Sequence, residues 1–358
     1  MNRRRRTLGL VVAAALLALV VARLLGAPRW SATAPGHAPP PTTPVADRPT
    51  AAGVRRVPAP AAGPAAPAMV ALSAAWGAGA GQLGRRLDPE SVAEGPMSFV
   101  VDRSGIVVLD NVNRRLARFD AHGRALPAIA LDSEAAQDVA RGARDRLAVL
   151  DRLHDKHVTL YDDGGRVLGV LPLVGAGIVE AAAVTGIFTD RDGNLYAERE
   201  HGSWLRLGDA EGRVDPARPT VPGRPLRDGR FVAAAIADKQ AGRARVQVFD
   251  AGGAKAFDTT VDFGAPLLYL ALLDGDAAGS IYLGAHVGHE APSPPYRIDD
   301  EALSLVALTA DGSLRAQRVL PAPPPREESF RDLYVGDDGT IYWMRRTAAG
   351  VVVEAYRL

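Results

Sequence analysis

The chain has 358 residues, 42 basic and 41 acidic, and no cysteine, which excludes disulfides, thiol catalysis and thiolate metal sites. Nine of the basic residues and one acid, Asp47, precede residue 71, so 33 basic and 40 acidic residues follow it. An acidic domain repels a phosphate backbone, and nucleic acid is therefore not an expected partner.

The first element is MNRRRR followed by an apolar run that is unbroken from Leu8 to Ala22 and ends at Gly26. Its length approaches the ~20 residues of a membrane span, with Arg3 to Arg6 on the cytoplasmic side. Residues 1–26 therefore predict a membrane anchor or a signal segment. The anchor is preferred because Leu25 and Pro35 spoil the small-x-small cleavage sites nearby. Residues 27–68 hold eleven prolines among Ala, Gly and Thr and predict an extended, disordered linker. The expected domain, residues 69–358, then lies outside the cytoplasm, periplasmic or extracellular, and is secreted if the N-terminus is cleaved.

From residue 69 turn signals recur between apolar runs. One series is DRSG at Asp102, RGARDR near Arg144, DRDG at Asp190, RDGR at Asp228, GDAAGS at Asp276 and DDGT at Asp337. A second is FDAHG at Asp120, YDDGG at Asp162, GDAEG at Asp209, FDAGG at Asp250 and TADG at Asp311. Asp closes such a turn on its own backbone, and Gly takes the positive φ that a tight hairpin needs. Four short strands per ~40–50 residues is the period of propeller blades. Six units are counted. The last has only three strands, and its missing outer strand is expected from Met69 to Ser73, which closes the ring without a bare edge. A seventh blade hidden within 210–230 is the competing count.

WGAGAGQLG (Trp76 to Gly84), GPMSFVVD, IVVLDNVNRR and RFDAHG resemble the NHL-repeat β-propellers, with Asp110, Asn113 and Arg115 on that family's D-x-x-N-x-R positions. The second unit keeps the frame as Asp151, His154 and Lys156, and later units keep only the turns. The resemblance implies an all-β, six-bladed propeller of four-stranded antiparallel blades, preceded here by the expected transmembrane helix and linker.

In a four-strand meander the first and third turns share one face, so the Asp–Gly turns lie together. The variable loops NVNR, RLHDKH, REHGS, KQAGR and HVGHEAPSPPYRIDDEA lie opposite, where function is expected. Candidate binding residues on that face are Asn111, Asn113, His154, His157, His201, His286 and His289. No G-x-S-x-G, P-loop or dinucleotide fingerprint occurs, and no catalytic residue is assigned. Asp190 to Asn194 starts like a calcium loop but fails at Leu195 and His201.

The expected function is a membrane-tethered binding module, not an enzyme, with no cofactor and with a protein, peptide or envelope polymer as partner. The alternative is a metal-dependent enzyme of the lactonase or lyase kind on the loop face. It would use a divalent metal, Zn or Ca, held by His154, His157, His286 and His289. Likeness to calcium-dependent lactonases would instead put Glu94, Asp138 and Glu180 near the axis.

Overall fold

In the computed structural model the chain divides into two units, Met1–Arg48 and Pro49–Leu358. The described residues are 54–56, 69–88, 90–321 and 327–358, all in the second unit. They begin with β1 (Val54–Arg56) and β2 (Met69–Ala75). Six sheets follow around a common axis. Blade 1 is β3 (Ser98–Val101), β4 (Gly105–Asp110), β5 (Arg115–Asp120) and β6 (Ala125–Ala130). Blade 2 is β7 (Asp138–Arg141), β8 (Leu147–Asp151), β9 (His157–Tyr161) and β10 (Val167–Pro172). Blade 3 is β11 (Val184–Thr189), β12 (Leu195–Arg199), β13 (Ser203–Gly208) and β14 (Thr220–Val221). Blade 4 is β15 (Arg224–Pro225), β16 (Phe231–Asp238), β17 (Arg243–Phe249) and β18 (Lys255–Asp262). Blade 5 is β19 (Leu267–Gly275), β20 (Ile281–Glu290), β21 (Ile298–Leu308) and β22 (Leu314–Pro321). Blade 6 is β23 (Leu333–Val335), β24 (Ile341–Arg346) and β25 (Gly350–Tyr356), completed by β2.

This is a six-bladed β-propeller of four-stranded antiparallel blades. The closing strand is the expected one: β2 pairs antiparallel with β25 from Met69↔Ala355 to Ala75↔Gly350. There is no seventh blade between 210 and 230. That stretch holds only the two-residue strands β14 and β15, the outer strand of one blade and the inner strand of the next. Val54–Arg56, within the Pro-rich stretch, adds a fifth strand to blade 4, parallel to β18.

Burial explains the residue choice strand by strand. A blade's second strand is packed between its neighbours on both faces, so β4 (GIVVLD) is buried throughout and apolar without alternation. The outermost β6 (ALPAIA) buries only Ile129. Leu72, Phe99, Leu109, Leu116 and Val353 share one core cluster that spans blades 6, 1 and 2, each such side chain contributing ~1.5–3 kcal/mol by its burial.

The turns follow the sequence signals. Asp120 Oδ1 accepts the backbone N–H groups of His122 and Arg124, both at 2.9 Å, and Gly123 sits at φ 74°. The same device recurs at Asp209 with Gly212 and at Asp250 with Gly253. Those bonds hold the Asp120 carboxyl below the usual carboxylate range, the N–H of Arg124 foremost. Asp190 likewise closes its hairpin on the N–H groups of Asp192 and Asn194, as the failed calcium pattern required.

The expected membrane helix is corrected. Among the described residues no helix is long and apolar enough to cross a membrane; their helices are the 3₁₀ turns Ala143–Asp145 and Ala181–Ala183. Residues 1–26, on which the anchor or signal segment was read, lie outside the described residues. The membrane as partner and the membrane-tethered placement of the module are set aside with that helix.

Candidate functional site: the loop-face cavity

The innermost strands β3, β7, β11, β15, β19 and β23 surround the axis. On the variable-loop side the axis opens into a cavity of about 900 Å³. Its walls come from blades 2 to 6. Thr185, Gly186, Glu198, His201 and Trp204 represent blade 3, and Ala234, Ala235 and Ile236 blade 4. Blade 5 adds Tyr269 to Leu273 and His286, and blade 6 adds Trp343 to Arg346 with the approach segment Glu327 to Asp332. On the Asp–Gly turn side lies a smaller cavity of about 330 Å³. Phe188, Arg224 and Arg331 line both cavities and so form the floor between them.

That floor is tightly specified. Arg224 lies over the Phe188 ring at 4.1 Å from its centroid, and Arg331 over the same ring at 5.0 Å. Arg224 donates from Nη2 to Asp274 Oδ2 at 2.9 Å and from Nη1 to the Leu273 carbonyl. Arg331 donates from Nη2 to Asp138 Oδ2 at 3.0 Å and to the Ile187 carbonyl at 2.9 Å. Burial brings the Arg224 guanidinium down to about 10; the nearby charges of Arg331 and Arg227 act in the same sense, against Asp274.

Glu198 stands on the wall above. Its register partner in β11 is Gly186, as Leu109 faces Ser98 in blade 1 and Leu150 faces Asp138 in blade 2. Glu198 therefore occupies the frame position at which the first two blades place a fully buried leucine. Burial raises its proton affinity, with the Asp138 charge adding to the effect; His201, Arg224 and the Thr185 hydroxyl favour the ionised form and only partly offset it. Opposite, the His286 ring stacks on Tyr269 at 4.4 Å and its Nδ1 lies 3.1 Å from Glu301 Oε1.

The residues singled out in the sequence are placed as follows. His201 and His286 line the cavity. Asn113 is structural: its Nδ2 donates to the Gly77 carbonyl and to Asp110 Oδ2. Asn111 caps the same bend through its carbonyl, which accepts the N–H of Arg114. His157 opens β9 opposite Asp151, and His289 pairs with Asp299 in the long hairpin of blade 5. Among the described residues the group whose ligand atoms lie together is Asp151, His154 and Asp155, which takes in His154 but not His157, His286 or His289. Nor do Glu94, Asp138 and Glu180 converge. Glu94 pairs with Arg86 and Glu180 is exposed before a 3₁₀ turn. Asp138 already accepts from Ser98, Val139, Ile187 and Arg331.

A small cluster able to coordinate a metal ion does exist on the loop face: Asp151, His154 and Asp155, whose ligand atoms all lie within 4.8 Å of one another. His154 Nδ1 lies 2.8 Å from Asp155 Oδ1, and that hydrogen bond and charge raise the imidazole's proton affinity. Asp151 also holds its own loop, accepting the N–H groups of Leu153 and His154 and the Ser133 hydroxyl. None of the three lines the cavity.

Glu198, Arg224, Arg331 and Phe188 were missed in the sequence. One signal was available: in the frame IVVLD, LAVLD, LYAER, the third copy carries Glu where the others carry Leu. The arginines and Phe188 meet only because the ring closes.

No family model and no curated protein matches the chain. Solved structures do. Hydrazine synthase of Kuenenia stuttgartiensis is similar at 12% identity over 70% of this chain and 74% of that one, with a TM-score of 0.47. Virginiamycin B lyase from Staphylococcus aureus is similar at 10% identity over 74% and 95%, with a TM-score of 0.41. A protein of unknown function from Bacteroides caccae is similar at 16% identity over 63% and 81%, with a TM-score of 0.39.

Proposed function

We propose that this chain is an NHL-type propeller acting as an enzyme of the lactonase or lyase kind, on a small ligand in the loop-face cavity, with Glu198 transferring the proton. The observation that carries the reading is Glu198 itself, a carboxyl of raised proton affinity at a position where the repeat otherwise packs leucine. Such a group gives a proton to a leaving alkoxide when protonated and takes one from a carbon beside a carbonyl when ionised. The NHL type is supported by the clamp that Asp110, Asn113 and Arg115 build in blade 1. The donor set of Asp151, His154 and Asp155, two carboxylates and an imidazole, suits zinc or calcium. An ion there would lie outside the cavity lining, and proton transfer rests with Glu198.

The test is turnover of a panel of γ- and δ-lactones and of β-elimination substrates, with and without a chelator, by the protein and its Glu198→Gln variant. The variant is expected to lose ~10²–10⁴-fold in kcat/KM. It is also expected to melt higher at pH 7. A carboxyl whose folded-state proton affinity is raised favours folding at low pH, and stability falls as pH rises from its unfolded value through its folded one. Replacing it removes that loss, so the gain should shrink toward pH 4. Undiminished turnover by the variant, or no turnover across the panel, contradicts the reading.

A further inference from the structure

We propose that Trp204 is the second ligand contact of the loop-face cavity: its indole N–H donates to the carbonyl oxygen of the molecule held beside Glu198. The inference rests on the reading of that cavity as the working site. It names the class of molecule taken, a compound whose carbonyl stands next to the atom that gains or loses the proton.

Three observations carry it. The first is position. Trp204 in β13 is the register partner of Glu198 in β12. Directly opposed residues of an antiparallel pair share a face, with Cβ atoms ~4.5–5.5 Å apart, and both of these side chains line the cavity. The same row reads Leu109–Leu116 in blade 1 and Leu150–Val158 in blade 2, four fully buried side chains. Blade 3 thus replaces an aliphatic pair by an acid and an N–H donor together.

The second is the donor. Trp204 is 7% exposed, and its Nε1 is buried with no hydrogen-bond partner among the described residues. Buried donors are almost always answered, so an open one in a cavity wall points to an acceptor that arrives with the ligand. Glu327, Arg345 and Arg346 also line the cavity and hold an unanswered atom, but each bonds through its other atoms. The indole has no other polar atom. The third is the inner strand. The register of β11 slips between Val184 and Gly186, a bulge that the inner pairs of blades 1 and 2 lack, and Gly186 comes to face Glu198. A Cβ at Gly186 would lie 3.1 Å from the Phe188 ring and 3.5 Å from Glu198 Oε2, so the bare glycine leaves the carboxylate its room.

The chemistry asks for such a donor. In a lactone, water adds to the carbonyl carbon and the carbon–oxygen π pair moves onto oxygen. That pair returns as the ring C–O bond breaks; Glu198 protonates the leaving alkoxide and takes a proton back from the added water. In an elimination, Glu198 takes the proton from the carbon beside the carbonyl, and the C–H pair passes to the carbonyl oxygen. It returns as the β-substituent leaves with its bonding pair and the proton. In both, negative charge gathers on the carbonyl oxygen, where the Trp204 N–H meets it.

The experiment follows the indole N–H signal of Trp204 by nitrogen–proton NMR correlation in the Glu198→Gln protein, whose turnover is expected to be slow. The chain has four tryptophans, so Trp204→Phe assigns the signal by its disappearance. Single Phe variants of the other three assign it by elimination if that protein does not fold. γ-Butyrolactone is expected to move the signal saturably, and tetrahydrofuran, the same ring without the carbonyl, to leave it in place. A folded Trp204→Phe protein with Glu198 intact should lose ~10²–10³-fold in kcat on the substrate panel with KM changed far less, as a contact made mainly in the transition state requires. Equal shifts with the two rings, no shift with γ-butyrolactone, or unchanged kcat overturns the assignment. The two readings fail separately. A carbonyl-dependent shift without turnover of any panel substrate keeps Trp204 as the ligand's donor and removes the enzyme. Turnover that is lost in Glu198→Gln but unchanged in Trp204→Phe does the reverse.

Discussion

A chain that begins at residue 77 will melt ~10–20 °C below one that begins at residue 64, because only the second retains the strand that closes the ring. β2 contributes Leu72 and Ala74, each 2% exposed, to the cluster shared by blades 6, 1 and 2. Losing their burial costs about 2–4 kcal/mol, and the unpaired backbone of β25 adds ~0.5–1.5 kcal/mol for each ladder bond that water replaces poorly. A loss of ~5 kcal/mol is a large part of a typical domain's stability and converts to a shift of that size at ~2–4 °C per kcal/mol. The exposed β25 edge should also make the shorter chain associate. Equal melting temperatures would show that the contacts between blades 6 and 1 hold the ring without the strand.

The second large effect concerns Asp110, which is fully buried. Its Oδ1 accepts the Gly84 N–H at 2.9 Å, and its Oδ2 accepts Asn113 Nδ2 at 2.8 Å and Arg115 Nε at 2.9 Å. Arg115 in turn donates to the carbonyls of Ala78, Gly79 and Gln82. The motif is therefore a clamp that ties the Gly-rich link after β2 to blade 1, and it reinforces the closure. Asp110→Ala leaves the mostly buried Arg115 charge without its carboxylate and the Gly84 and Asn113 N–H donors without an acceptor, at an expected cost of ~3–5 kcal/mol in urea unfolding. Asp151 holds the same frame position in blade 2 without an arginine partner. Asp151→Ala should cost less, ~1–3 kcal/mol for lost hydrogen bonds alone. Equal costs for the two would contradict the role given to Arg115.

The fold was legible because its punctuation is local. An aspartate that closes a turn on its own backbone, as Asp120 and Asp250 do, and a glycine at positive φ, as Gly123 and Gly253 are, leave their mark within five residues. The closing strand was legible for a topological reason, since the sixth unit lacked one strand. Blade 4 was harder to place, because its inner strand β15 is two residues long and has no periodicity to read.

The site was legible only in part. Parity put function on the variable-loop face, and His201 and His286 do line the cavity there. The other histidines drew attention by type; none of them lines the cavity, and His154 finds its partners within its own loop. The floor escaped because Phe188, Arg224 and Arg331 come from three blades and their meeting is a property of the closed ring. Glu198 was within reach, as a charge that interrupts an otherwise leucine-bearing frame. The membrane helix has no counterpart among the described residues, and the metal-ligating group found there shares only His154 with the four histidines.

The central claim is that ligand enters the loop-face cavity, and filling that cavity tests it most directly. Ala235 is exposed on the cavity wall. Ala235→Trp should therefore leave the melting temperature unchanged while occupying the space above the floor. The account predicts that turnover of the substrate panel is lost in this variant. It persists in Asp155→Ala, which alters only the surface cluster. Turnover that survives Ala235→Trp in a folded protein would contradict the account.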